Sequence, residues 1–174
     1  MKYKGIPGTW NSFYGEEVKG VLPALIRNSS EGGIDGIAIS GVVNTCKEGL
    51  RGIAISGIAN YSKEFLKGIN IAGIANGSDD GNLEGLCIAV MVNLSNIFKG
   101  FSVALMNYTR ESKGGVQIGL INIAEDAYRP TLQIGLINRC DNHVCPGINL
   151  YGLGEAYQII KEKLTKRKKL NKQM

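Results

Sequence analysis

The residues best suited to chemistry in this 174-residue chain lie in one short stretch, Cys140-Asp-Asn-His143-Val-Cys145, which gathers two thiols and the single His. Thiolates and imidazole are the usual ligands of zinc. A zinc site takes four ligands, however, and this stretch offers at most three, with His143 and Cys145 crowded at i, i+2. Cys140 and His143 also match a nucleophile and its base, but no carboxylate to orient the base and no oxyanion loop accompany them. No metal is therefore expected; Cys140, His143 and Cys145 are the only candidate set, and the stretch is read as a polar turn in which Cys145 takes an apolar stacking position. Ser78-Asp79-Asp80-Gly81-Asn82 offers hard oxygen ligands and a turn Gly, but lacks the distal bidentate Glu of an EF-hand, so an ordinary acidic turn is expected. The 24 glycines form neither a phosphate-binding loop nor a dinucleotide fingerprint. The expectation is a protein that is not an enzyme, with no cofactor and no small-molecule substrate.

Charge points to a different kind of site. Lys and Arg number 20 against 15 Asp and Glu, and residues 155–174 hold seven of the basic residues and two Glu, which accounts for the whole net charge of +5. Lys161, Lys163, Lys166, Arg167, Lys168, Lys169 and Lys172 form a candidate anion-binding tail that suits an anionic membrane surface. Without interleaved aromatics they carry no signature of a specific nucleic-acid reader. Met1–Trp10 has no apolar core of a secretory signal, and no run approaches the roughly 18 apolar residues of a membrane-spanning helix. A cytoplasmic or peripheral membrane location is expected, with the four cysteines kept as thiols.

A repeat organises almost everything else. Asn28, Asn44, Asn60, Asn76, Asn93, Asn107, Asn122 and Asn138 recur at intervals of 16, 16, 16, 17, 14, 15 and 16 residues. Each closes an apolar phrase, such as Gly36-Ile-Ala-Ile-Ser-Gly-Val-Val-Asn44 and Gly52-Ile-Ala-Ile-Ser-Gly-Ile-Ala-Asn60. Two residues before the opening Gly an apolar position recurs as Val18, Ile34, Leu50, Leu66, Leu83 and Phe98. Nine phrases run from Gly20 to Glu155, and Gly5–Asn11 reads as a degenerate tenth.

Within a phrase large and small residues alternate with the period of a strand, and between phrases lie polar turn segments. Every turn follows the same Asn and precedes the same apolar-x-Gly, which favours stacked coils over an antiparallel meander or barrel whose turns would alternate between two ends. The predicted fold is all-β: a single β-solenoid of about nine 16-residue coils over residues 1–155. Stacking would place Asn over Asn in an interior ladder that satisfies its own amides, with Asn and the mid-phrase glycines Gly41, Gly57, Gly73, Gly119, Gly135 and Gly152 at corners. Trp10, Phe13 and Tyr14 suggest an aromatic N-terminal cap over residues 1–19. Leu153, Ala156, Ile160 and Leu164 suggest an amphipathic helix that caps the other end, within a C-terminal helix and basic tail over 156–174.

Gly115-Val-Gln-Ile-Gly-Leu-Ile-Asn122 and Leu132-Gln-Ile-Gly-Leu-Ile-Asn138 resemble the short Gly-φ-Gln-φ-Gly-φ-φ-Asn repeat of a family of bacterial surface-repeat proteins, φ being apolar. The resemblance spans about residues 20–155. It implies a non-enzymatic protein and, in that family, a cell-surface location. The resulting expectation is a structural or interaction protein that presents a repetitive β surface to a protein partner or to copies of itself, with anionic-membrane or nucleic-acid association through the basic tail as the alternative.

Overall fold

The computed structural model describes residues 2–6, 9–14 and 17–151. β1 (Lys2–Ile6) and β2 (Trp10–Tyr14) form an antiparallel hairpin at the N-terminal end. Coils then follow one another, each with a longer and a shorter strand: β3 (Val18–Ala24) and β4 (Arg27–Ser30), β5 (Ile34–Ser40) and β6 (Val43–Cys46), β7 (Gly49–Ser56) and β8 (Ala59–Ser62), β9 (Phe65–Ala72) and β10 (Ala75–Ser78). Farther on the turns tighten and strands fuse into β11 (Asn82–Ala89), β12 (Val92–Val103), β13 (Met106–Ile118), β14 (Ile121–Ala127), β15 (Thr131–Cys140) and β16 (His143–Tyr151).

Strands of successive coils pair in parallel, long over long and short over short, so the chain is a β-solenoid of about eight turns. The parallel ladders exclude the meander and barrel. The register follows the repeat: Ile34 pairs with Leu50 and Leu50 with Leu66, while Asn44 pairs with Asn60 and Asn60 with Asn76. The phrase that begins at Gly147 does not add a ninth coil. A turn at Asp141, the one described non-Gly residue with positive φ (50°), reverses the chain, and β16 runs antiparallel to β15.

Val18, Ile34, Leu50, Leu66, Leu83 and Phe98 point inward and make the apolar spine of the core. Because side chains alternate along a strand, an inward Leu50 sends Arg51 and Ile53 out and brings Ala54 in. The interior of each coil is thus narrow and lined by one large apolar residue together with Ala, Ser and Asn. The spine ends at Phe98, which pairs with Ser112. There β13 carries one extra residue between Ser112 and Gly115 relative to Phe98–Gly100 of β12. Beyond it the interior becomes more polar, with Gln117, Thr131 and Gln133 fully buried.

Two corner assignments change. The Asn residues do not adopt a left-handed backbone; they lie within strands, the short ones from Asn28 to Asn76 and β12 to β15 from Asn93 to Asn138, and point inward. The left-handed positions are the opening glycines, from Gly20 (φ +115°) and Gly52 (φ +116°) to Gly115 (φ +144°). A Cβ on Gly52 would also stand 2.1 Å from the carbonyl oxygen of Gly36 one coil earlier, so this column has space only for hydrogen. Gly41, Gly57, Gly73 and Gly119 do sit at bends. Gly135 does not, since it lies within β15 and pairs with Gly147 of β16, and Gly152 lies outside the described residues.

At the N-terminal end β2 lies parallel to β4, and Asn11 pairs with Asn28 as one further rung. Phe13 packs against the core spine, whereas Trp10 is largely exposed. Pro23, in the first long strand, lacks an N–H, which blunts an edge that could otherwise template pairing. The amphipathic segment Leu153–Leu164 and the rest of the tail lie outside the described residues.

Candidate functional site

The interior holds a continuous carboxamide ladder. Asn11 donates through Nδ2 to Asn28 Oδ1 at 2.7 Å, Asn28 to Asn44 and Asn44 to Asn60 at 2.9 Å, Asn60 to Asn76 and Asn76 to Asn93 at 3.0 Å. It continues from Asn93 to Asn107 at 3.2 Å and from Asn107 to Asn122 and Asn122 to Asn138 at 2.8 Å. The same Nδ2 groups also reach main-chain oxygens: Asn60 donates to Ala54 O at 3.2 Å and Ile71 O at 2.9 Å. From Asn28 to Asn93 each amide therefore ties the two strands of its own coil to the next coil, while Asn107 and Asn122 bond forward to the next coil. A shorter ladder forms near the C-terminal end, where Gln133 donates to Gln117 Oε1 at 2.9 Å and Asn149 to Gln133 Oε1 at 3.1 Å. Buried and bonded to one another, these amides are cross-ties.

The Cys140–Cys145 stretch does not converge. Cys140 is wholly buried, stacked in the column that holds Ala124, while His143 is exposed and Cys145 half-buried. The apolar stacking position thus belongs to Cys140 and not to Cys145, because the turn at Asp141 reverses the strand. His143 lies against Tyr151 with ring centroids 5.6 Å apart. Burial, reinforced by the nearby Asp141 carboxylate, pushes the Cys140 thiol up to about 12, the opposite of what a nucleophile or metal ligand requires. Burial likewise raises Cys46 to about 11 and Cys87 to about 12. Among the described residues no three His, Cys, Asp or Glu side chains gather as a metal site.

The acidic turn is held by its own neighbours. The Tyr61 hydroxyl donates to the Asp79 carboxylate, which drives the Tyr61 phenol up to about 12, and Asn96 Nδ2 donates to Asp79 O at 2.6 Å. The seven basic residues Lys161, Lys163, Lys166, Arg167, Lys168, Lys169 and Lys172 fall outside the described residues. No described helix is long and apolar enough to cross a membrane.

The outer surface carries a feature that none of the reactive residue types marks. Three parallel rows of apolar side chains face outward along the solenoid. The first runs Ile37, Ile53, Ile69, Leu86, Phe101, Val116 and Leu132, and the second Ile39, Ile55, Ile71, Ile88, Val103, Ile118 and Ile134. The third follows the bend: Ile26, Val42, Ile58, Ile74, Met91, Leu105, Leu120 and Leu136. None of these positions is charged. Ile74 is 46% exposed, Leu120 49% and Leu136 69%. Between the second and third rows Ala104, Gly119 and Gly135 floor a groove of about 620 Å³, walled by Val103, Ile118 and Ile134 on one side and Leu105, Leu120 and Leu136 on the other. Beside the face, Lys19, Asp35, Arg51, Lys67, Glu84 and Lys99 stack as a row of mixed sign, with Lys67 and Glu84 3.4 Å apart. The signal for the first two rows was present in the spacing: the inward position two residues before the opening Gly fixes the large residues that follow it in the long strand as outward, whereas the third row lies beyond the bend, where the alternation is broken.

No protein-family model, curated protein or solved structure matches this chain.

Proposed function

We propose that the chain is a non-catalytic structural or interaction protein that presents its repetitive β surface to a macromolecular partner. The observation that carries this reading is the outward placement of the large hydrophobes. A monomer with water on all sides rarely exposes an apolar patch beyond a few hundred Å², and three uncharged rows along the solenoid exceed that. The likeness of the Gly-φ-Gln-φ-Gly-φ-φ-Asn phrases to those of surface-repeat proteins supports the same reading. So does the chemistry of the buried thiols, which are poised against reactivity.

The test is site-specific photo-crosslinking of the full chain in the cells that make it. A photo-reactive residue in place of Leu120 should give a discrete adduct, while one in place of the exposed Lys63 should not. Absence of an adduct from position 120 would remove this reading.

A second reading rests on the concentration of seven basic residues in 155–174, which suits electrostatic association with an anionic membrane or nucleic acid. Flotation of the full chain with anionic vesicles across a salt series tests the membrane form, with release at high salt expected. Vesicles that never capture the chain at low salt would rule that form out.

A further inference from the structure

We propose that the apolar face is the interface of a twofold homodimer, in which the Leu105, Leu120 and Leu136 ridge of each copy seats in the Ala104, Gly119 and Gly135 groove of the other. This deepens the interaction reading above, on which it rests, by naming the partner.

Area is the first argument. From the fractional exposures of its side chains the face offers on the order of 1,000 Å² of apolar surface, and a specific interface takes about 800 Å² from each partner. Shape is the second. A ridge of branched side chains lies directly beside a groove floored by Ala and Gly, and both repeat once per coil over three successive coils, with the exposed Val90 filling the floor position of the coil before. In parallel β structure that repeat is about 4.8 Å, a spacing that an α-helix, with its pitch of about 5.4 Å, does not match. A second copy of this solenoid repeats the spacing along its whole length. Adjacent ridge and groove also make the surface self-complementary under a twofold axis, as an isologous contact demands.

Charge is the third argument, and it favours a protein over a lipid surface. The centre of the face has no charge, and the adjacent row of Lys19, Asp35, Arg51, Lys67, Glu84 and Lys99 mixes both signs, as the polar rim of a protein interface does. A face built for anionic lipid would be bordered by one sign.

Sedimentation velocity of the full chain from about 1 to 100 μM, concentrations that bracket ordinary protein dimers, tests the proposal. A dimer is expected for the native chain. Leu120→Lys and Ile134→Lys, both at exposed positions, should each weaken it by 100-fold or more with an unchanged far-UV circular dichroism spectrum, while Lys63→Ala should leave it intact. Either variant that loses its β spectrum is replaced by Leu136→Lys, at the most exposed position of the ridge. A chain that stays monomeric throughout the range, or a dimer indifferent to all these substitutions, would overturn the proposal. So would capture of the monomer by neutral vesicles that Leu120→Lys abolishes, which would assign the face to lipid. A photo-adduct from position 120 to a different protein overturns the dimer and leaves the interaction reading standing, whereas no adduct at all removes both.

Discussion

The Nδ2 of Asn60 lies 3.0 Å from the Oδ1 of Asn76, sixteen residues along the chain and one rung up the solenoid, and both side chains are fully buried. Replacing Asn60 by Ala would strip the acceptor from Asn44 and the donor from Asn76 Oδ1, Ala54 O and Ile71 O at once. Each buried polar group left unpaired costs about 1–3 kcal/mol, and a broken network exceeds a single bond. Asn60→Ala should therefore cost about 3 kcal/mol or more in urea denaturation, against less than about 0.5 kcal/mol for the exposed Lys63→Ala. A loss equal to the control would show that the ladder is not a cross-tie.

Two glycines with nearly the same φ separate backbone strain from lack of space. Gly20 and Gly52 have φ of +115° and +116°, but a Cβ on Gly20 meets nothing within 4 Å while one on Gly52 meets Gly36 O at 2.1 Å. Gly20→Ala should cost only the conformational term, about 1–3 kcal/mol. Gly52→Ala must in addition push adjacent rungs of the ladder apart, and should prevent assembly of that coil. Circular dichroism and thermal melting of the two variants check the order, and equal melting temperatures would contradict it.

Removing Phe98, the last and largest residue of the apolar spine, should cost about 3–5 kcal/mol as Phe98→Ala, because the cavity would open between a well-packed apolar stack and the polar interior beyond it. Proteolysis should then cut first near the extra residue between Ser112 and Gly115. Cleavage that begins instead at the first coil would place the weak point elsewhere.

The buried thiols make stability depend on alkaline pH. Burial raises the thiols to about 11 for Cys46 and about 12 for Cys87 and Cys140, from an ordinary value of 9.0. The unfolded chain therefore releases these protons first, and their stabilising contribution, complete below pH 9, is lost as pH rises toward 11 to 12. Cys87→Ala places in that column the residue already present at Ala38 and Ala54. It should make the fall between pH 9 and 12 shallower by about 1.4 kcal/mol per pH unit. At neutral pH a thiol reagent should label the half-buried Cys145 of the native protein ahead of the other three.

The coil was legible in the sequence because Asn cannot be moved: its spacing alone marks where each rung closes, and the apolar-x-Gly signal marks where the next begins. The last strand was not legible. Gly147-Ile-Asn-Leu imitates the opening of another phrase, and only the reversal at Asp141 turns it against β15. Residue type also misled at Cys140 and Cys145, since alternation decides which of two cysteines is buried and a reversing turn resets the alternation. The groove went unseen for a further reason. It depends on a ridge and a floor contributed by residues one apart in sequence, repeated through coils that only the fold brings into line.

The constant offset of sixteen between β5, β7 and β9 makes those coils interchangeable modules. Excising residues 50–65 would bring Leu66 under Ile34, Gly68 under Gly36 and Asn76 under Asn44, so that Gly again meets Gly, Asn meets Asn, and Leu66 exchanges one branched apolar neighbour for another. Since every rung contacts only its neighbours, copy number is a dial that evolution or a designer can turn without redesigning the ends. Each click lengthens or shortens the outer face by the width of one strand.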